Sequence, residues 1–411
     1  VSTPFDDSAP SPVPTDVVDP SASDALEAPA PPEPAPEKRR TRGILISVGC
    51  VLLVAIAAGV GVFVHLSAHE AYDAARAAAE SSIEEAAAAR DGLSASVRNR
   101  ADVVAGADDV VAVAPADLVD PAALAALGEQ TASGEATVER AQATIESWEA
   151  PVLAEKPFWT WELTADSAAL AKEERDAGSF EDSADTAEAE LDAADTAVTD
   201  AAAALFASAP VVAATVEQAN VSAATGSVLD FRDAAEAVAA QALPSDEAAT
   251  ALTAYADRAA ALRASQAAEL AEKAGPQLDT RLEIEAYARS ISGGVLLDFD
   301  WAPTAAGAGG ANSIGGTATW DSSRGGSSTI TFSYSVADWW PGDDARALVT
   351  HEVGHSITAK CYQLFDSQSG PANEEWATAW AISMGQTAEG NGVQAYGYPS
   401  QAMIDLASGC R

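Results

Sequence analysis

"DDARALVTHEVGHSITAKC", Asp343 to Cys361, decides how this chain is read. It holds two of the four histidines, His351 and His355, separated by Glu352-Val353-Gly354. Pro341-Gly342 breaks the segment before it, Asp343 suits an N-cap, and Ala347, Leu348 and later apolar residues supply a buried face. The pattern predicts a helix. Residues four apart share a helix face, so His351 and His355 project in parallel and can hold one metal ion through imidazole nitrogens. Glu352 does not face that metal squarely, but it reaches a water beside it. Zinc lowers the pKa of such a water towards about 7, and a neighbouring carboxylate takes the proton. Gly354 keeps the helix surface low beside the metal. The spacing is that of H-E-x-x-H.

A zinc site of this kind needs a third protein ligand and an open position. The other histidines, His65 and His69, sit at the start of a helical stalk and read as interfacial residues. A carboxylate must complete the set. Downstream lies "SGPANEEWATAWAISMG", Ser369 to Gly385, with Pro371 suited to a first helical position and Gly385 to a stop. Glu374 and Glu375 fall in its first turns. Either acid would also suit the helix dipole, and the spacing leaves both open as the ligand.

His351-Glu352-Val353-Gly354-His355, followed by a helix carrying Asn373-Glu374-Glu375-Trp376-Ala377-Thr378, resembles the gluzincin metallopeptidases, the thermolysin-like clan. The resemblance spans roughly residues 329 to 385. It implies a small zincin-like catalytic domain, with Zn²⁺ held by His351, His355 and Glu374 and Glu352 as general base. Glu375 remains the fallback ligand. Thr378 stands where the family usually has an Asp that orients a ligand histidine, which weakens the surroundings of the metal. The family also places a substrate-pairing strand before the first helix, and "TITFSYSV", Thr329 to Val336, is in that position. It uses a Tyr or His to stabilise the oxyanion. With no His left, Tyr396 and Tyr398 are the candidates.

The rest of the chain sets the context. Residues 1–42 form an acidic, Pro-rich segment that reads as a disordered cytoplasmic tail. It ends in the basic cluster "KRRTR", Lys38 to Arg42. Residues 43–66 are apolar and long enough for a transmembrane helix, a lipid-bilayer contact. The basic cluster keeps the N-terminus in the cytoplasm, and the chain beyond the span is extracellular. Residues 67–289 are rich in alanine and read as an all-α bundle or coiled-coil-like stalk. Its helices are expected near 68–104, 121–149, 165–208, 225–242 and 245–288, with "FWTW", Phe158 to Trp161, as a packing knot. Asn220-Val221-Ser222 matches a glycosylation triplet of the kind common by chance. Residues 290–411 change texture: strands near 293–303 and 328–340 enclose a Gly/Ser/Thr-rich stretch, then the two metal-binding helices come in turn. The fold class is therefore α+β.

Cys50 lies in the apolar span, which leaves Cys361 and Cys410 as an expected disulfide outside the membrane. With 22 Lys and Arg against 62 Asp and Glu, a formal charge of −40, the charge balance argues against nucleic acid, whose phosphates need clustered Lys and Arg. The resemblance implies a zinc-dependent peptidase acting on a peptide or protein at the cell surface or in the envelope. The competing reading is a catalytically inactive envelope protein whose helical region binds a partner.

Overall fold

A computed structural model describes residues 41–411. The acidic, Pro-rich tail up to Arg40 lies outside the described residues. Of the described residues, 41–70 fall in one compact unit and Ala71–Arg411 in another. The first unit contributes the start of α1 (Thr41–Val113). Its apolar stretch is long enough to cross a membrane, and its described side chains from Cys50 to Val64 are exposed, with Val51 and Phe63 about 70% exposed. His65 and His69, one turn apart, pair through their Nε2 atoms at 3.2 Å.

In the second unit the remainder of α1 packs with α2 (Pro121–Glu146), α3 (Thr160–Ala219), α4 (Thr225–Ala239) and α5 (Asp246–Glu272). Helix starts obey local chemistry: Asp120 accepts a hydrogen bond from the Ala122 amide ahead of Pro121, and Ser245 accepts one from Ala248. Much of the core is alanine. Ala86, Ala141, Ala177 and Ala184 join Leu93, Phe180 and Leu191 in one cluster, while Ala202, Ala209, Ala235 and Ala259 join Leu127, Phe206, Phe231 and Tyr255 in another. Small side chains let the helix axes approach where large apolar residues are sparse. The α3 helix also has the length and composition of a membrane span, but a third of its apolar window is buried in this bundle.

Two features of the helical region differ from the sequence reading, the helix over 245–288 and the "FWTW" knot. The segment expected as one helix over 245–288 is two, because Gly275-Pro276 interrupts it and α6 (Leu278–Ile291) starts anew. The α6 helix packs with the sheet domain, Ile284 and Ala288 lying in that domain's core. Asn220 is buried, with its Nδ2 donating to the Val216 carbonyl at 2.7 Å, so the glycosylation triplet is not displayed. The "FWTW" knot does not pack inside: Phe158, Trp159 and Trp161 are all more than half exposed.

The sheet has three strands, β1 (Leu296–Ala302), β2 (Gly316–Asp321) and β3 (Ser327–Ser333), in the order β1-β3-β2. The β1 and β3 strands are parallel, with Leu296 opposite Ser327. The β2 strand runs antiparallel to β3, with Gly316 opposite Phe332. The segment Thr329–Val336, expected as the substrate-lining edge, is therefore mostly the central strand, and its end turns into α7 (Tyr334–Trp339). The open edge beside the helix that carries His351 and His355 is β2.

That helix, α8 (Asp343–Cys361), is capped by Gly342 rather than Asp343, which falls in the first turn where its charge suits the dipole. It is buried on almost every side, from Ala345 through Val349, Val353 and Ile357 to Ala359, rather than on one face. The α9 helix (Gly370–Ser383) lies against it, and Trp376 and Trp380 are fully buried. A 3₁₀ turn at Glu389–Asn391, then α10 (Val393–Tyr396) and α11 (Gln401–Ser408), complete the chain. Cys361 and Cys410 form the expected disulfide, their Cα atoms 6.4 Å apart. Closing that 49-residue separation restricts the unfolded chain by about 4 kcal/mol in the chain-entropy account.

A buried ionic cluster ties α5 to α6 and β1. Glu285, fully buried, lies 3.3 Å from both Lys273 Nζ and Arg289 Nη2 and accepts a hydrogen bond from Trp301 Nε1. Lys273 is itself only 4% exposed. Removing Glu285 leaves buried Lys273 with Glu269 alone, 3.2 Å away and partly exposed, and takes the carboxylate from Arg289 in a low-dielectric site. Glu285→Ala is expected to cost about 3–5 kcal/mol, read as a lower urea midpoint at an unchanged slope.

Candidate metal centre

His351 and His355 lie one turn apart on α8, their rings 4.9 Å apart and nearly perpendicular. Glu374, near the start of α9, brings its Oε2 to 3.3 Å from the Nε2 atom of each. The three ligand atoms all lie within 4.8 Å of one another, and among the described residues this is the one such group of His, Cys, Asp or Glu. The cluster could hold a metal ion. Bonds of about 2.0–2.1 Å in a tetrahedral site place neighbouring ligand atoms about 3.3 Å apart, which is the spacing that Glu374 keeps from both histidines. Glu375 points elsewhere: its Oε1 accepts hydrogen bonds from the Ser400 amide and hydroxyl at the start of α11. Of the two acids the sequence left open, only Glu374 reaches the histidines.

The approach of α9 to α8 depends on Gly354. A Cβ there would lie 2.9 Å from the Cα and O of Ala377, and Trp376 Nε1 donates to the Gly354 carbonyl at 3.1 Å. Gly354 thus makes room for the neighbouring helix, where the sequence reading gave it room beside the metal.

Sequence reasoning missed the residue that orients His351. His351 Nδ1 lies 3.1 Å from the backbone carbonyl of buried Asn391. A carbonyl only accepts, so Nδ1 carries the proton and Nε2 is left to face the cluster. Asn391 is fixed in turn: its Nδ2 donates to the Gln386 carbonyl and its Oδ1 accepts from the Val393 amide. The flanking glycines seat this turn on α8. A Cβ at Gly390 would strike the Asp344 carbonyl. One at Gly392, whose φ is +98°, would strike Thr378 Oγ1 and come within 2.7 Å of the His351 ring. Thr378 is buried and its hydroxyl has no partner, so it does not orient His351; the backbone of the turn does. The signal in the sequence was "EGNG", Glu389 to Gly392.

Glu352 is 3% exposed and packs under the start of β2, where a Cβ on Gly316 would come within 2.6 Å of its carboxylate. Its Oε2 is buried with no hydrogen-bond partner. Burial pushes its carboxyl up, opposed by the two histidines and helped by Glu374. Glu374 is also penalised by burial, but hydrogen bonds from His351 and His355 outweigh this and lower it to about 2. For His351 burial works downward, and Glu374 and Glu352 more than compensate, leaving it raised. Tyr396 stacks on His351 at 5.9 Å with ring planes 7° apart, and burial followed by Glu374 and Glu352 raises its phenol. Tyr398 is 71% exposed and lines a shallow pocket with Ile382, Val393 and Gln394 instead. Of the two candidate tyrosines only Tyr396 touches the cluster.

No family model, curated protein or solved structure matches this chain.

Gly392→Ala is expected to weaken metal binding by about 10–100-fold, measured by competition with a chromogenic chelator, because the new methyl displaces the His351 ring. The metal-free protein carries a pH signature as well. The lowered Glu374 contributes stability above its unfolded value near 4.5 and loses it as pH falls towards 2. The raised His351 contributes fully below 6.5 and loses it as pH rises through its folded value. The melting temperature lost in Glu374→Ala should therefore be greatest between about pH 4.5 and 6.5 and shrink on either side.

Proposed function

We propose that this chain is a membrane-anchored zinc metallopeptidase that hydrolyses peptide bonds outside the membrane. The observation that carries the reading is the convergence of His351, His355 and Glu374 from two helices beside a buried carboxylate, Glu352, with an unpartnered oxygen. The resemblance of the same residues to gluzincins supports it, as does the choice of Glu374 over Glu375. Two imidazoles and one carboxylate are a donor set for zinc. When bound, zinc supplies Lewis acidity that polarises a substrate carbonyl and makes a nearby water a better nucleophile.

The chain's own residues do the rest. Asn391 holds His351 in the tautomer that leaves Nε2 open towards the cluster. Glu352, its carboxyl raised by burial, is a stronger base than an ordinary carboxylate and takes the proton of the attacking water, then returns it to the leaving amine. Tyr396, over the His351 ring, is placed to donate its hydroxyl to the oxyanion. The β2 strand pairs with β3 on one side, and its other edge offers main-chain groups to an extended peptide. The substrate is then a peptide or protein of the cell surface or envelope. The apolar segment at residues 43–66 crosses the bilayer once, with the basic cluster and N-terminus in the cytoplasm.

The test pairs two variants with zinc analysis of the purified chain. Wild type should carry about one zinc per chain and cleave a peptide library. Glu352→Gln should keep the zinc and lose cleavage. Tyr396→Phe should keep the zinc and lower kcat by about 10²–10³-fold. Cleavage undiminished in Glu352→Gln sinks the mechanism. A zinc-loaded wild type without cleavage shifts the role to the helical region as a binding module.

A further inference from the structure

The bundle carries an outcrop that neither the metal centre nor the bundle core uses. From the end of α2 into the first turn of α3 the chain runs through "APVLAEKPFWTW", Ala150 to Trp161. Val152 is 98% exposed, Phe158 67%, Trp159 52% and Trp161 66%. The rings order one another: Trp159 and Trp161 stack at 5.1 Å, and Phe158 meets Trp159 edge-on at 5.3 Å. Three large aromatics grouped in water are costly, and such a patch marks a surface that something covers.

The loop is pinned to one short part of α1. Lys156 Nζ lies 2.6 Å from Asp73 Oδ1 and 5.5 Å from the centre of the Tyr72 ring, and Arg76 donates to the Ala154 carbonyl at 2.7 Å. Tyr72 comes six residues after Leu66, the last residue of the apolar segment. Six residues span about 9 Å at a helical rise and at most about 22 Å fully stretched. The residues that hold the aromatic loop are thus tethered within a short reach of the place where the chain leaves the hydrocarbon. Tryptophan and other aromatics with an apolar body are favoured at that boundary. The neighbouring exposed charges are mixed, Glu155 and Glu162 against Lys156, so attraction to anionic lipid is not what the loop offers.

We propose that the α2–α3 loop and the first turn of α3 are a second membrane contact, in which Phe158, Trp159 and Trp161 seat in the headgroup–acyl boundary of the bilayer. The proposal rests on the reading of residues 43–66 as a membrane span. It commits to lipid rather than a protein partner because the aromatics are held by residues next to that span. Zwitterionic lipid suffices for it.

The experiment uses the full chain in phosphatidylcholine vesicles with bromine on the acyl chains. Tryptophan emission should drop relative to unbrominated vesicles. That drop should be lost in Trp159→Gln/Trp161→Gln, whose circular dichroism and metal content stay as in wild type because both rings lie outside the core. An equal drop in wild type and the double variant overturns the proposal. So does quenching of the Trp159 and Trp161 emission by aqueous iodide, which places them in water. Shielding of those two from both quenchers also overturns it, because the loop is then covered by protein such as a second copy. A chain washed off the vesicles by alkaline carbonate overturns the span and the loop contact together; a chain that resists the wash without the drop overturns the loop contact alone.

Discussion

Gly354 and Ala377 meet where α8 and α9 cross, so closely that a single methyl on residue 354 would lie 2.9 Å from the Ala377 backbone. That close contact sets the reach of Glu374, three residues earlier on α9, to the two histidines on α8. The tryptophans around the crossing keep the helices from sliding. Trp376 donates to the Gly354 carbonyl and stacks on Phe365, while Trp380 donates to the Cys410 carbonyl. A hydrogen bond from each indole makes burial of so large a ring cheap, and its area supplies much of the local packing. The disulfide acts at the same place, fastening the chain end that accepts from Trp380 to the last residue of α8.

The remaining supports enter α8 from its other sides. Tyr287 of α6 hydrogen bonds Thr350, next to His351, at 2.9 Å. The 3₁₀ turn reaches His351 through Asn391, and β2 presses on Glu352 through Gly316. A helix supported all round has no solvated face, which is why its residues show no one-sided apolar stripe. Burial has a chemical consequence too. A carboxylate under β2, with one oxygen unpartnered, is desolvated, and desolvation is what raises its pKa.

The parts of this site that were legible in the sequence are those written in local spacing. His351 and His355 share a face because a helix repeats every 3.6 residues, and Glu374 comes just after a helix start marked by Pro371. Glu374 over Glu375 was not legible from spacing, because adjacent residues on a helix point about 100° apart and the docking angle of α9 decides between them. Asn391 was not legible either: it acts through its backbone carbonyl, so its side-chain identity advertises nothing, and only the glycines on either side hint at a turn pressed against another element. The strand order failed for a related reason. Thr329–Ser333 alternates like any half-buried strand, and alternation cannot say whether a strand has one neighbour or two.

The helical half shows the limit from the other direction. Its alanines read as helix formers of no particular address, yet Ala86, Ala141, Ala177 and Ala184 share one core, because a methyl lets three helices come together where leucines would hold them apart. The same economy in large side chains gives the exposed aromatics their meaning. In a bundle that fills its interior with methyls, Phe158, Trp159 and Trp161 were available to bury and were not buried. Their loop is instead fixed at Tyr72, Asp73 and Arg76 by a salt bridge, a cation–π contact and a backbone hydrogen bond. Polar fasteners hold the loop while the rings stay outside, an arrangement that suits a surface made to meet an apolar phase rather than to fill a core.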